Sequence, residues 1–280
     1  MTARRITVHQ IQQMKVRREP IAMVTAYDYT AAKIIDRTNI PMVLVGDSMG
    51  QVVLGYDSTI PVTVEDIVRA TASVVRGTKK SLVVADMPFL SYQIDPNTAL
   101  KNAGKLIQKG GAHAVKLEGG LSVTPVVKKL TESGMAVMGH IGLTPQSVHQ
   151  LGGYRVQGKS KIAAKQLLKD AVSLQEAGVF SIVLELIPSE LAEEISGNLE
   201  IPTIGIGAGI HCDGQVQVFH DILGLDPDFR PKHSGNYANL SPIIKQALQN
   251  YSNEVTSRKF PTNEQTFSRS KDNKNNKSHK

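Results

Sequence analysis

The chain has 280 residues, 41% hydrophobic and 20% charged, with 23 Gly, one Cys and no Trp. That is enough apolar side chain for a full core, and it excludes a disordered or collagen-like chain. Most of the formal charge of +7 sits in residues 268–280, where Arg269, Lys271, Lys274, Lys277 and Lys280 face Asp272 for a net +4. Only +3 is left for the rest, which removes most of the case for nucleic-acid binding, and none is expected.

In chain order, short apolar runs of strand length fall at 21–26, 42–46, 82–85, 114–117, 136–139, 181–184, 203–206 and 216–222, the last being the least regular. Segments with helical spacing of apolar residues separate them, as at 63–76, 98–109 and 161–177. Thr63, with Asp66 three residues on, predicts a helix N-cap, while Gly77, Gly110, Gly134 and Gly178 stand where helices end. Near-continuous apolar strands alternating with helices predict a parallel sheet covered by helices. Eight such units in about 220 residues fit an α/β fold, a single closed (β/α)8 TIM barrel over residues 1–267, with an open doubly wound sheet as the alternative. Residues 268–280 contain no apolar side chain and read as a disordered, solvated basic tail. The lone Cys212 cannot form an internal disulfide, the first residues lack an apolar segment of signal length, and no run approaches a membrane span. The expectation is a cytoplasmic protein without membrane contact.

Four of the apolar runs finish in a carboxylate: Asp47, Asp86, Glu118 and Glu185. In a barrel the C-terminal strand ends converge on one mouth, where active sites sit. A single acid after a strand ordinarily starts a turn or caps a helix, whereas four that converge repel one another unless a cation neutralises them. An all-oxygen set without a companion Cys suits a hard divalent ion, Mg²⁺ before Zn²⁺. Lys116 lies two residues before Glu118 and shares its strand face, so it serves either an anionic ligand or an ion pair with a neighbouring acid. The glycines of Gly205-Ile-Gly-Ala-Gly209 are followed by Ile210, miss the dinucleotide fingerprint, and read as a tight turn. His140 and His211 read as hydrogen-bonding groups rather than ligands, Cys212 as an unactivated thiol, and Ser48 as a hydroxyl for a ligand or a turn.

Between about residues 6 and 267, segments such as VLVGDSMGQVVLGYDSTIPVTVEDI, GAHAVKLEGG, GHIGLTPQSVHQLGGYRVQGKS and IPTIGIGAGIHCDGQVQVFHD resemble the ketopantoate hydroxymethyltransferase family of the phosphoenolpyruvate/pyruvate barrel superfamily. The resemblance implies transfer of a hydroxymethyl group from methylenetetrahydrofolate to 3-methyl-2-oxobutanoate, giving ketopantoate for pantothenate and coenzyme A. It also implies Mg²⁺ as cofactor, a 2-oxo acid and a folate as small-molecule partners, and a homo-oligomer, the decamer. By position it implies metal carboxylates at Asp47, Asp86 and Glu118, substrate contacts at Asp47, Ser48, Asp86 and Lys116, and a catalytic base at Glu185. The chain departs from the family pattern at Pro231-Lys232-His233-Ser234, at Phe260-Pro261 and at Gln265-Thr266-Phe267, which bears on the last barrel segment and the C-terminus. Two other functions stay open: a Mg²⁺-dependent lyase or mutase on a 2-oxo acid, and an inactive barrel serving as a binding module.

Overall fold

Eight apolar runs bounded by turns become eight strands: β1 (Ile21–Thr25), β2 (Met42–Val45), β3 (Leu82–Asp86), β4 (Ala114–Glu118), β5 (Val137–Gly142), β6 (Ser181–Glu185), β7 (Thr203–Ile206) and β8 (Gly214–Gln217). Each pairs in parallel with the next, and β8 returns to β1 through Met23↔Val216, so the sheet is a closed barrel rather than an open one. The structure, a computed structural model, describes residues 5–268. The tail expected over 268–280 therefore lies outside the described residues from 269 onward.

Between and after the strands come α1 (Val8–Val16), α2 (Tyr29–Ile35), α3 (Met49–Val52), α4 (Val64–Gly77), α5 (Pro96–Gln108), α6 (Thr124–Glu132), α7 (Val148–Leu151), α8 (Lys161–Glu176), α9 (Ser189–Asn198), α10 (Phe219–Ile222) and α11 (Ser241–Thr256). The predicted cap of α4 is a full capping box: Thr63 Oγ1 accepts the Asp66 N–H at 3.2 Å and Asp66 Oδ2 accepts the Thr63 N–H at 3.0 Å. Such a cap contributes about 1 kcal/mol.

Side chains alternate along each strand, so one parity meets the helices and the other fills the barrel. Val43, Val83, Val115 and Ile182 belong to the helix-facing core, and Met42, Val84, Ala114, Met138 and Val183 to the interior one. Followed toward the C-terminal ends, the interior parity passes from Val84 to Asp86, from Ala114 to Lys116 and Glu118, from Met138 to His140, and from Val183 to Glu185. The lower barrel is thus apolar and its mouth ionisable. At the opposite end α1 lies across the strand starts, with Ile11 in the interior core and Lys15 Nζ 2.9 Å from Asp213 Oδ2.

Several boundaries differ from the expectation. The eighth strand is Gly214–Gln217, earlier than 216–222, and Phe219–Ile222 is helical. Gly214 is a close-packing position: a Cβ there would come within 2.3 Å of the Ile21 carbonyl oxygen. Strand β5 runs on to Gly142 instead of ending at 139, which carries His140 into the sheet. Gly77 belongs to α4 and lets α2 approach, since a Cβ would meet Ala32 Cβ at 2.7 Å, while the left-handed turn after α5 falls on Gly111 (φ 78°), not Gly110.

Candidate active site

Strand register builds the mouth. Asp86 is the register partner of Lys116, and Glu118 that of His140. Lys116 Nζ contacts Asp86 Oδ1 as an ion pair and lies 3.5 Å from His140 Nδ1. His140 stands between two acids, with Nδ1 3.4 Å from Glu118 Oε1 and Nε2 3.2 Å from Glu185 Oε2. Asp47 lies past the end of β2, and its N–H donates to Asp86 Oδ2 at 3.2 Å. Asp47, Asp86, Lys116, Glu118 and His140 are all buried. The Glu185 side chain is the most accessible of the group, at 15% against 2–4% for Asp86, Lys116, Glu118 and His140. Ser48, half-buried beside Asp47, spends its hydroxyl on Tyr27 Oη at 2.8 Å.

Electrostatics divides the acids. Burial, then the neighbouring charges of Asp86 and Glu118, pushes the Asp47 carboxyl well above the usual range despite Lys116 and Gln146. Burial also raises Asp86, Lys116 opposing and Glu118 reinforcing the shift. Glu118 goes the other way: burial works against its charge, but His140 and Lys116 hold it below the ordinary value. For His140, burial and Lys116 act downward, yet Glu118 and Glu185 win and raise it to about 9. Two basic side chains, Lys116 and His140, therefore face four acidic ones, and burial makes negative charge on Asp47 and Asp86 costly.

That imbalance is what a divalent cation would neutralise. Among the described residues no three His, Cys, Asp or Glu side chains close on one point as metal ligands do. Glu118 is engaged by its neighbours, with Oε1 toward His140 and Oε2 accepting the Gln146 N–H at 3.1 Å. The donor set still fits Mg²⁺, which is commonly held by one or two carboxylates and keeps substrate oxygens or water in its other positions.

All four strand-end acids and Lys116 thus meet at one mouth. His211 does not join them: it lies 3.7 Å from Glu193 at the surface. Cys212 is a free thiol whose pKa burial raises, as expected of an inert cysteine. The Gly205–Gly209 turn packs protein on protein, for a Cβ on Gly209 would fall 2.1 Å from Ser189 Oγ. Sequence reasoning missed Gln146 and Tyr92, both buried at the mouth, and gave His140 no partners. Strand parity was the available signal for His140, which shares a face with Met138.

The ketopantoate hydroxymethyltransferase family profile matches residues 5–263. The chain belongs to that family. A 3-methyl-2-oxobutanoate hydroxymethyltransferase of Dehalococcoides mccartyi is 54% identical over 94% of this chain and 94% of its own. One from Chloroflexus aurantiacus is 56% identical over 92% and 91%, and one from Moorella thermoacetica 54% over 94% and 98%. Among solved structures, a phosphoenolpyruvate phosphomutase from Streptomyces platensis subsp. rosaceus covers 90% of this chain and 88% of its own with a TM-score of 0.61 at 11% identity. A 2,3-dimethylmalate lyase of the phosphoenolpyruvate mutase/isocitrate lyase superfamily covers 92% and 91% with a TM-score of 0.56 at 13% identity. A phosphonopyruvate hydrolase solved with oxalate and Mg²⁺ covers 90% and 88% with a TM-score of 0.60 at 8% identity. At such identities these structures share the fold alone with this family member.

Proposed function

We propose that this chain transfers a hydroxymethyl group from methylenetetrahydrofolate to 3-methyl-2-oxobutanoate and so forms ketopantoate. The observation that carries the reading is the buried Asp47–Asp86–Lys116–Glu118 cluster, linked through His140 to a more accessible acid, Glu185, in a chain of this family. Relatives at 54–56% identity carry the transferase name, whereas the lyases and mutases are likenesses of fold only. An inactive barrel has no physical reason to keep four acids at one mouth.

Asp47 and Asp86 would hold Mg²⁺, with Glu118 beside them. A cation so bound polarises the ketone of a 2-oxo acid. Lys116 then offsets negative charge that builds on the substrate oxygens. Glu185 takes the proton from the carbon next to the ketone, and His140, paired to it, fixes the direction of its carboxylate. Overall the folate's methylene carbon exchanges its two carbon–nitrogen bonds for one bond to the enolate carbon and one to the oxygen of a water, and the protons given up by the substrate carbon and the water go to the two folate nitrogens as ketopantoate and tetrahydrofolate leave. Space for the folate lies beside the mouth, in a cavity of about 320 Å³ lined by Asp57, His149 and Tyr154. Burial, with the charges of Glu185, Asp47 and Glu118, raises the Tyr154 phenol against the hydrogen bond from Gln51.

The exposed stripe Ile244, Leu248, Tyr251 and Val255 on α11, a helix that buries none of its residues, favours a homo-oligomer, and the family implies ten subunits. Among the described residues no helix is long and apolar enough to cross a membrane. A cytoplasmic enzyme is part of the same reading.

The test is deuterium exchange. In D₂O with Mg²⁺ and 3-methyl-2-oxobutanoate, the protein should exchange the hydrogen next to the ketone, and it should make ketopantoate once methylenetetrahydrofolate is added. Exchange without turnover of the folate would hand the site to the lyase or mutase reading.

A further inference from the structure

Asp86 and Glu118 are held by the strands that carry them, but Asp47 lies two residues past the end of β2. Its carboxylate needs another restraint, and one side chain supplies it. Gln146, buried in the short turn Pro145–Ser147 ahead of α7, donates from Nε2 to Asp47 Oδ2 at 2.8 Å and to the Met87 carbonyl at 2.9 Å. Its Oε1 faces Tyr92 Oη at 2.9 Å and Gln93 Nε2 at 3.2 Å. The Met87 carbonyl, which can only accept, fixes which end of the amide is which, because a flip would set the Gln146 oxygen against it.

The same residue reaches the next acid through its main chain, since the Gln146 N–H donates to Glu118 Oε2 at 3.1 Å. Tyr92, buried, closes the network: its Oη accepts the Glu118 N–H at 3.1 Å and also lies 3.0 Å from the Glu118 carbonyl. No other kind of side chain serves at 146. A Glu would place a like charge against Asp47, and an apolar residue would leave Asp47 Oδ2 and the Met87 carbonyl without donors.

We infer that Gln146, hydrogen-bonded to Tyr92, is a positioning residue that pins one oxygen of Asp47 so that the other is presented to the divalent cation. The inference rests on the metal-dependent reading above. Because Gln146 acts through Asp47, its loss is felt in cation affinity and in the KM for the 2-oxo acid, not in the KM for the folate.

Gln146→Met keeps the side chain's length and removes both bonds. Calorimetric titration of the full-length protein with Mn²⁺ alone, at a temperature where the variant is folded, should give a Kd raised tenfold or more, beyond any fall in melting temperature from the two acceptors left without donors. Steady-state kinetics should then show the KM rise confined to the 2-oxo acid. An unchanged Mn²⁺ Kd with a lowered melting temperature would reduce Gln146 to a packing residue and overturn the inference. Tyr92→Phe, which removes only the hydroxyl bonded to the amide, decides the case if Gln146→Met fails to fold: a weaker Mn²⁺ complex supports the inference and an equal one overturns it. Wild-type protein that binds no Mn²⁺ would overturn the functional reading itself, whereas wild type and variants of equal affinity would sink the positioning role alone.

Discussion

Asp86 and Lys116 are register partners on neighbouring strands, and their side chains pair inside the barrel with 2% and 4% of their surface exposed. Each alone would be an uncompensated charge in a desolvated site. The pair does not cancel the field, however, because Glu118 and the burial itself still hold Asp86 above its usual range.

Opposite substitutions in this pair should therefore move cation binding in opposite directions. Asp86→Asn removes a ligand charge, so Mg²⁺ affinity should drop and excess Mg²⁺ should partly rescue turnover. Lys116→Met removes the competing cation, so the protein should lose about 3–5 kcal/mol of stability and regain part of it as Mg²⁺ is added. Thermal melts with and without Mg²⁺ check both, and equal Mg²⁺ responses in the two variants would refute the assignment.

Glu185→Gln keeps size and deletes basicity. Deuterium exchange and hydroxymethyl transfer should both fall by roughly 10²-fold or more, with substrate binding little changed. If exchange survives while transfer is lost, Glu185 acts on the folate side instead.

His113 gives stability a pH dependence away from the mouth. Burial, then Arg5, lowers it to about 4 from the ordinary 6.5, and its Nδ1 accepts the Val83 N–H at 3.1 Å. As pH falls below 6.5 the unfolded chain takes up the proton first, so the His113 contribution is complete above 6.5 and is lost between 6.5 and about 4. For a ring still partly solvated the full loss should be about 1–2 kcal/mol. Denaturant midpoints should decline less between pH 7 and pH 4.5 in His113→Gln than in wild type, and parallel declines would rule the group out.

The apolar stripe of α11 should be covered in solution. Leu248→Glu places a charge at its centre and should shift sedimentation toward smaller species. A wild type that sediments as a monomer would remove the oligomer from the reading.

Much of this was legible in the sequence because the strands are buried on both faces and read as continuous apolar runs. The acids at their ends then announce the mouth, as Asp86 after four apolar strand residues does. The eighth strand was blurred because Gly214 and Gln215 carry no hydrophobic signal and are held by backbone pairing with Ile21 and Ala22. His140 was misplaced because β5 continues through Gly139 and Gly142, residues that ordinarily end a strand. Gln146 was invisible for a different reason: a polar residue in a turn reads as solvated, and only the assembled mouth reveals the acceptors that bury it.

With α1 lying across the strand starts, the barrel has one door. The floor laid by Ile11 and tied down by Lys15 thereby leaves the mouth as the end through which a small molecule can reach Asp86 and Lys116.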